Sequence, residues 1–144
     1  RAAELGKKVL LSEKMPAAGR KLLITGKGRC NITNDAPVDE FINCIYPSGR
    51  FLKSVFSRFF STQIIELLEK HNLEVSLERG GRYFPSSNRS SDVLNALLKW
   101  VNAQDVEIRY NQRAEKLIIQ DNVIQGIRIN GMDFFSEKVV IATG

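Results

Sequence analysis

The chain has 144 residues, 43% hydrophobic and 26% charged, with four prolines, two cysteines and a net charge of +5. That composition supports one modest domain with a real core and excludes a disordered chain, and no run approaches the length of a membrane span. Residues 1–30 carry eight basic and two acidic groups while the remainder sums to −1, a local excess that suits one anionic ligand better than a broad nucleic-acid surface.

Residues 1–6 read as the last turns of a helix with Gly6 as its C-cap. Residues 7–13 are a short strand around Val9, Leu10 and Leu11, closing on Glu13. Residues 15–34 hold too many glycines and basic groups for a regular element, although 21–24 could extend briefly. Residues 35–47 are irregular, with a turn near 38–43. A helix is predicted over 48–60, because Phe51, Leu52, Val55, Phe56, Phe59 and Phe60 recur at helical spacing, and this stripe reads as core. A second helix covers 62–71, with Ile64, Ile65, Leu67 and Leu68 inward and Asn72 as its cap.

Residues 73–78 alternate as a half-buried strand, and Gly80-Gly81 turns into a return strand over 82–85. Ser90 or Ser91 caps a third helix reaching about Asn102, with Val93, Leu94, Leu97, Leu98 and Val101 buried. A short strand at 106–110 is followed by three more at 114–120, 123–130 and 133–136. Asp121-Asn122 and Asn130-Gly131 sit at their tight turns. Residues 137–142 read as an apolar strand running into Thr143-Gly144. The order fits an α/β fold: a doubly wound parallel sheet with a three-stranded antiparallel meander and, over about 48–88, a helical and hairpin insertion. Both ends read as mid-fold boundaries, so an internal piece of a longer protein is expected.

Two features carry chemistry. Glu13 closes a strand, and in a dinucleotide fold the acid at the end of the second strand accepts hydrogen bonds from the adenosine ribose. The alternative is a solvated strand-end carboxylate. Residues 19–34, GRKLLITGKGRCNITN, follow directly. Gly19, Gly26 and Gly28 let the backbone approach a ligand closely, and Arg20, Lys21, Lys27 and Arg29 offer cationic donors to phosphate. A flexible basic loop is the plainer reading of a bare GKGR. The G-x-G-x-x-G turn that would precede the first helix is not in the sequence, so the phosphate turn of this class is inferred rather than seen.

The remaining candidates read as structural. Cys44 lies fourteen positions after Cys30, outside the spacing of a redox pair, so Cys30 is expected to pack or to line a cofactor. His71 suits a helix C-terminus, and one histidine with two scattered cysteines makes no zinc site. Trp100 reads as core. Tyr83 either lines a pocket or packs on its strand.

The string at residues 19–34 resembles the loop of a bacterial and archaeal flavoprotein family that includes aminoacetone oxidase and a bile-acid reductase. The match runs through Gly19, Arg20, Lys21, Thr25, Gly26, Gly28, Arg29, Cys30, Asn31, Ile32, Thr33 and Asn34. Residues 81–85, Gly-Arg-Tyr-Phe-Pro, and residues 139–144 are further matches, so the resemblance spans essentially the whole chain. It implies a partial FAD-binding domain of the glutathione-reductase type over 1–144, with Glu13 on the ribose. It places Arg20, Lys21, Gly26, Gly28, Arg29, Cys30 and Asn31 along the cofactor, Ala114 beside adenine, and Thr143 and Gly144 closing over it. The implied activity is flavin-mediated hydride or electron transfer on a small organic substrate, with NAD(P)H as a candidate electron donor. Catalytic residues, substrate and oligomeric state stay open, and the cytoplasm is the expected compartment. The competing readings are a nucleic-acid-binding module built on the basic loop, and a simple NAD-dependent Rossmann enzyme. Against the first stand the confined charge and the helical spacing of the aromatics; against the second stands the long loop after Glu13.

Overall fold

A computed structural model describes residues 1–143. The chain divides into two compact units. The first is made of Arg1–Ala18 and Gln104–Gly144, and the second of Gly19–Ala103.

In the first unit a single turn at Ala3–Leu5 ends on Gly6, which takes the left-handed conformation (φ 73°) and returns its N–H to the Ala3 carbonyl. Strand β1 (Val9–Ser12) then pairs in parallel with β5 (Val106–Arg109), Val9 opposite Val106 and Ser12 opposite Arg109. Three strands follow as an antiparallel meander: β6 (Ala114–Gln120), β7 (Val123–Ile129) and β8 (Met132–Phe135). Their tight turns fall at Asp121 and Asn122, and at Asn130 and Gly131, all with positive φ. Ile129 is the buried anchor of β7. Across β7 and β8, the Arg128 guanidinium grips Asp133 with two bonds of 2.5 and 2.8 Å. That grip holds the Asp133 carboxyl below its usual range.

The strand expected over 137–142 does not form. Val140 is 88% exposed and Ile141 68% exposed. A strand needs a neighbouring strand for its backbone N–H and C=O groups, and no described strand pairs with this segment.

In the second unit α1 (Arg20–Ile24) opens after Gly19. Helices α2 (Val38–Asn43), α3 (Lys53–Phe56), α4 (Ser61–Lys70) and α5 (Ser90–Asn102) follow, with a three-stranded antiparallel sheet ordered β2 (Thr33–Asn34), β4 (Arg82–Pro85), β3 (Val75–Glu78). Two expectations fail at the start of this unit. Residues 15–34 contain a helix and a short strand, because Ile32 donates to the Tyr83 carbonyl at 2.8 Å and β2 completes a sheet edge. Asp39 and Glu40 in the first turn favour a real helix at α2.

The long helix expected over 48–60 is broken. A 3₁₀ turn at Arg50–Leu52 runs into the four residues of α3. Phe60 then turns extended (φ −140°) and caps α4, its N–H donating to Gln63 Oε1 at 2.8 Å. The phenylalanines were expected to form one core stripe. Instead Phe41, Phe56 and Phe60 cluster with centroids 5.0–5.6 Å apart, while Phe51 and Phe59 are exposed. A helix one turn long has no continuous face to bury. The main core of this unit gathers Cys30, Leu68, Leu73, Val93 and Ala96. Ser90 does not cap α5; its hydroxyl donates to the Leu23 carbonyl at 2.9 Å, satisfying an acceptor near the end of α1.

Candidate functional site

The first set of candidate residues lies at the carboxyl end of β1. Glu13 continues the parallel ladder, its N–H donating to the Arg109 carbonyl at 2.9 Å and its C=O accepting from Gln112 N–H at 2.9 Å. The Ser12 hydroxyl donates to the Gln112 carbonyl at 2.7 Å, locking the same crossing from the other side. The half-buried Glu13 carboxylate accepts the Met15 N–H on Oε1 at 2.8 Å, which orients the group and leaves Oε2 for another donor. The carboxyl edge of parallel strands is where open α/β sheets bind ligands.

Ala114 begins β6 opposite Ile129 and is exposed. The residues before it are braced by Asn130: Asn130 Oδ1 accepts the Arg113 N–H at 2.9 Å, and its Nδ2 donates to the Asn111 carbonyl at 2.9 Å. Sequence reasoning gave Asn130 only a turn role, because its partners lie across the meander. Thr143 is exposed and belongs to no element; Gly144 lies outside the described residues.

The second set is the glycine-rich turn of the second unit. Gly19 holds φ 77°, and a Cβ there would run into the Leu94 side chain, so α1 starts tightly against α5. Arg20 and Lys21 stand exposed on α1. The chain then reverses through two successive left-handed residues, Gly26 (φ 55°, ψ 32°) and Lys27 (φ 57°, ψ 40°). Arg29 N–H donates to the Gly26 carbonyl at 3.2 Å and Cys30 N–H to the Thr25 carbonyl at 3.1 Å, closing the turn. Cys30, also left-handed (φ 62°), points into the core at 6% exposure, while Cys44 is exposed; both are free thiols.

The tip is open. Gly26, Lys27, Gly28 and Asn31 are exposed, and a Cβ on Gly28 would meet nothing within 4 Å. Lys21 and Lys27 enter no ion pair among the described residues. Arg29 differs: its guanidinium is paired with Glu78, hydrogen-bonded to Asn88 and stacked on Phe84. Those three partners were not legible in the sequence, since Glu78 and Asn88 lie 49 and 59 positions away.

Beyond the turn, Asn34 organises the entry to α2, accepting Ala36 N–H at 2.8 Å and donating to the Gly80 carbonyl at 3.0 Å. Tyr83 is a half-buried residue of β4 and donates its hydroxyl to Asp35 at 3.2 Å. Partial desolvation and the Asp35 carboxylate raise its phenol above the ordinary value. His71 follows the end of α4 and lines a shallow polar depression of about 330 Å³ with Asn72, Glu74, Ser86, Asp92 and Lys99. Asp92 is held below the usual carboxylate range by Ser87 and Arg89. No group of three or more potential metal ligands exists among the described residues.

A parallel strand pair ending on an oriented carboxylate, in an α/β chain, is a feature of Rossmann-type domains. The chain belongs to the HI0933-like protein Rossmann domain family, which it matches over residues 1–144. It is 31% identical over 144 residues to the ribosomal RNA dihydrouridine synthase of Escherichia coli K12, covering 99% of this chain and 35% of that protein. It is likewise 31% identical over 137 residues to the 3-dehydro-bile acid delta(4,6)-reductase of Clostridium scindens, covering 94% of this chain and 32% of that protein. The chain thus spans about a third of the length of the curated relatives it matches.

Proposed function

We propose that this chain is part of an FAD-dependent oxidoreductase and supplies the ribose-binding acid and a diphosphate-side turn. The observation that carries the reading is Glu13, a carboxylate at the carboxyl end of a parallel pair with one oxygen fixed by Met15 and the other without a hydrogen bond among the described residues. A ribose hydroxyl is the donor such an oxygen accepts in this fold class. The donor set of the turn also fits an anionic cofactor. Gly26 and Gly28 present backbone without side chains, and Lys21 and Lys27 are exposed cations that enter no ion pair among the described residues. Further proposed contacts are Asn31 in the second unit and Ala114, Thr143 and Gly144 in the first.

When bound, FAD supplies the hydride and electron chemistry. The chain's own residues bind and orient it: Glu13 fixes the ribose end and the lysines offset the phosphate charge. NAD(P)H is the proposed electron donor and a small organic molecule the proposed substrate. The names of the two relatives point to chemically different acceptors, an RNA base and a steroid, and support the shared reductive chemistry rather than either substrate.

The test is the visible absorption spectrum of the purified full-length protein, with mass identification of any released cofactor. A flavin spectrum with FAD released is expected. Glu13→Ala removes a charge-assisted hydrogen bond worth about 1.5–3 kcal/mol, so FAD affinity should fall roughly 10- to 100-fold. A colourless protein that takes up no added FAD would sink the proposal and favour a nucleic-acid or other phosphate ligand for the basic turn.

A further inference from the structure

Arg29 sits at the centre of the glycine-rich turn, where residue type alone suggests a phosphate donor. Its surroundings assign it another task. One terminal nitrogen pairs with the Glu78 carboxylate at the end of β3, Nε donates to Asn88 Oδ1 at 2.6 Å, and the guanidinium carbon lies 4.1 Å from the Phe84 ring centroid. The fork is engaged at its edge and covered on one face, and its charge is matched by a carboxylate. The two side chains are 36% and 32% exposed, so solvent screens the pair only in part.

The same ring supports the other end of the turn. A Cβ on Gly26 would lie 3.3 Å from Phe84 Cε1, so the glycine backbone rests against Phe84 just as Arg29 does. Cys30, next in the chain, is anchored in the core. Between these fixed points only Lys27 and Gly28 stand clear.

We infer that Arg29 is a positioning residue rather than a phosphate ligand: Glu78, Asn88 and Phe84 hold it, and through it they set the Lys27–Gly28 tip that faces the cofactor. This rests on the reading that the turn meets FAD. It makes Glu78, an acid that should repel an anionic cofactor, a residue that FAD binding depends on.

That reversal of sign is the test. Coulomb's law alone has Glu78→Gln tighten FAD binding, because a negative charge is removed near a diphosphate. The tether has it weaken binding, by about tenfold. Arg29→Lys keeps the charge but loses the fork and the stack, and should weaken binding to a similar degree. The double variant should bind no more weakly than the more weakly binding single, since both break the Arg29–Glu78 pair. Affinity is read by flavin fluorescence on full-length apoprotein. A second readout needs no cofactor: trypsin should cleave after Lys27 several-fold faster in both variants. Should these variants fold poorly, Asn88→Gly, which suits the left-handed backbone there (φ 56°), removes one hydrogen bond and should give the same shifts in smaller measure. Glu78→Gln binding FAD as tightly as wild type or tighter, with unchanged trypsin cleavage, overturns the inference. A wild-type protein that takes up no FAD overturns the cofactor reading and this role within it, while the cleavage rates still decide whether the tether exists.

Discussion

Gly26 shows how one residue type sets the shape of the turn. Its φ of 55° lies where side chains are strained, and an added Cβ would stand 2.9 Å from the Asn31 backbone nitrogen. That nitrogen has little freedom to withdraw, because the neighbouring Cys30 is anchored both by its N–H bond to Thr25 and by its buried side chain. Left-handed strain costs about 1–2 kcal/mol before any clash is counted. Gly26→Ala is therefore expected to weaken FAD binding by about tenfold or more, read by fluorescence titration; an unchanged affinity would remove the turn from the cofactor site. The glycines of this turn were legible as points of backbone freedom. Lys27 and Cys30 were not, because nothing in a lysine or a cysteine announces a left-handed backbone; closure of the turn imposes it. Glu78 and Asn88 were invisible for a different reason: they reach Arg29 only through the β3–β4 hairpin.

At the scale of elements, strong periodicity was reliable where the element packs along its whole length. Helices α4 and α5 bury Leu68 and Val93 as expected, while Ala96, outside the expected face, is buried and Leu94, Leu97, Leu98 and Val101 are only half-buried; the meander follows its turn residues. The phenylalanine stripe misled because its rings serve different neighbours: Phe56 and Phe60 pack on Phe41 across α2, while Phe51 and Phe59 do not join them. The apolar run at 137–142 misled because hydrophobicity makes no strand without a partner edge. Gly126, in the middle of β7, had no visible purpose in the sequence. The Phe134 carbonyl of β8 occupies the place where its Cβ would stand. Gly126→Ala must push two hydrogen-bonded strands apart, so a loss of about 1–3 kcal/mol is expected, seen as a lower midpoint in thermal unfolding followed by circular dichroism. A midpoint unchanged within error would mean that the meander opens there without cost.

At the scale of the whole molecule, the uneven charge makes its own prediction. The excess of positive charge in residues 1–30 includes the exposed Lys21 and Lys27. If these cations meet a diphosphate, FAD affinity should fall as salt rises, because the Debye length shrinks from about 10 Å at 0.1 M to about 3 Å at 1 M. The expected result is several-fold weaker binding over that range, with the slope reduced by Lys27→Gln. A salt-independent affinity would place the lysines away from the cofactor. The same clustering argues for a single anionic ligand, whichever substrate the complete protein takes.

Amino-acid order by itself determined the α/β class, helices α4 and α5, the hairpin and meander turns, and the two segments that carry candidate ligand chemistry. These follow from local rules: side-chain period, turn preference, and the nearness of glycines and cations along the chain. Only the tertiary structure decided which charges remain available. Arg29 and Lys27 are two positions apart in one basic string, yet the first is matched by Glu78 and covered by Phe84 while the second is exposed. Availability of a charge depends on what the fold brings against it, and contacts made across 49 and 59 positions leave no trace in local sequence.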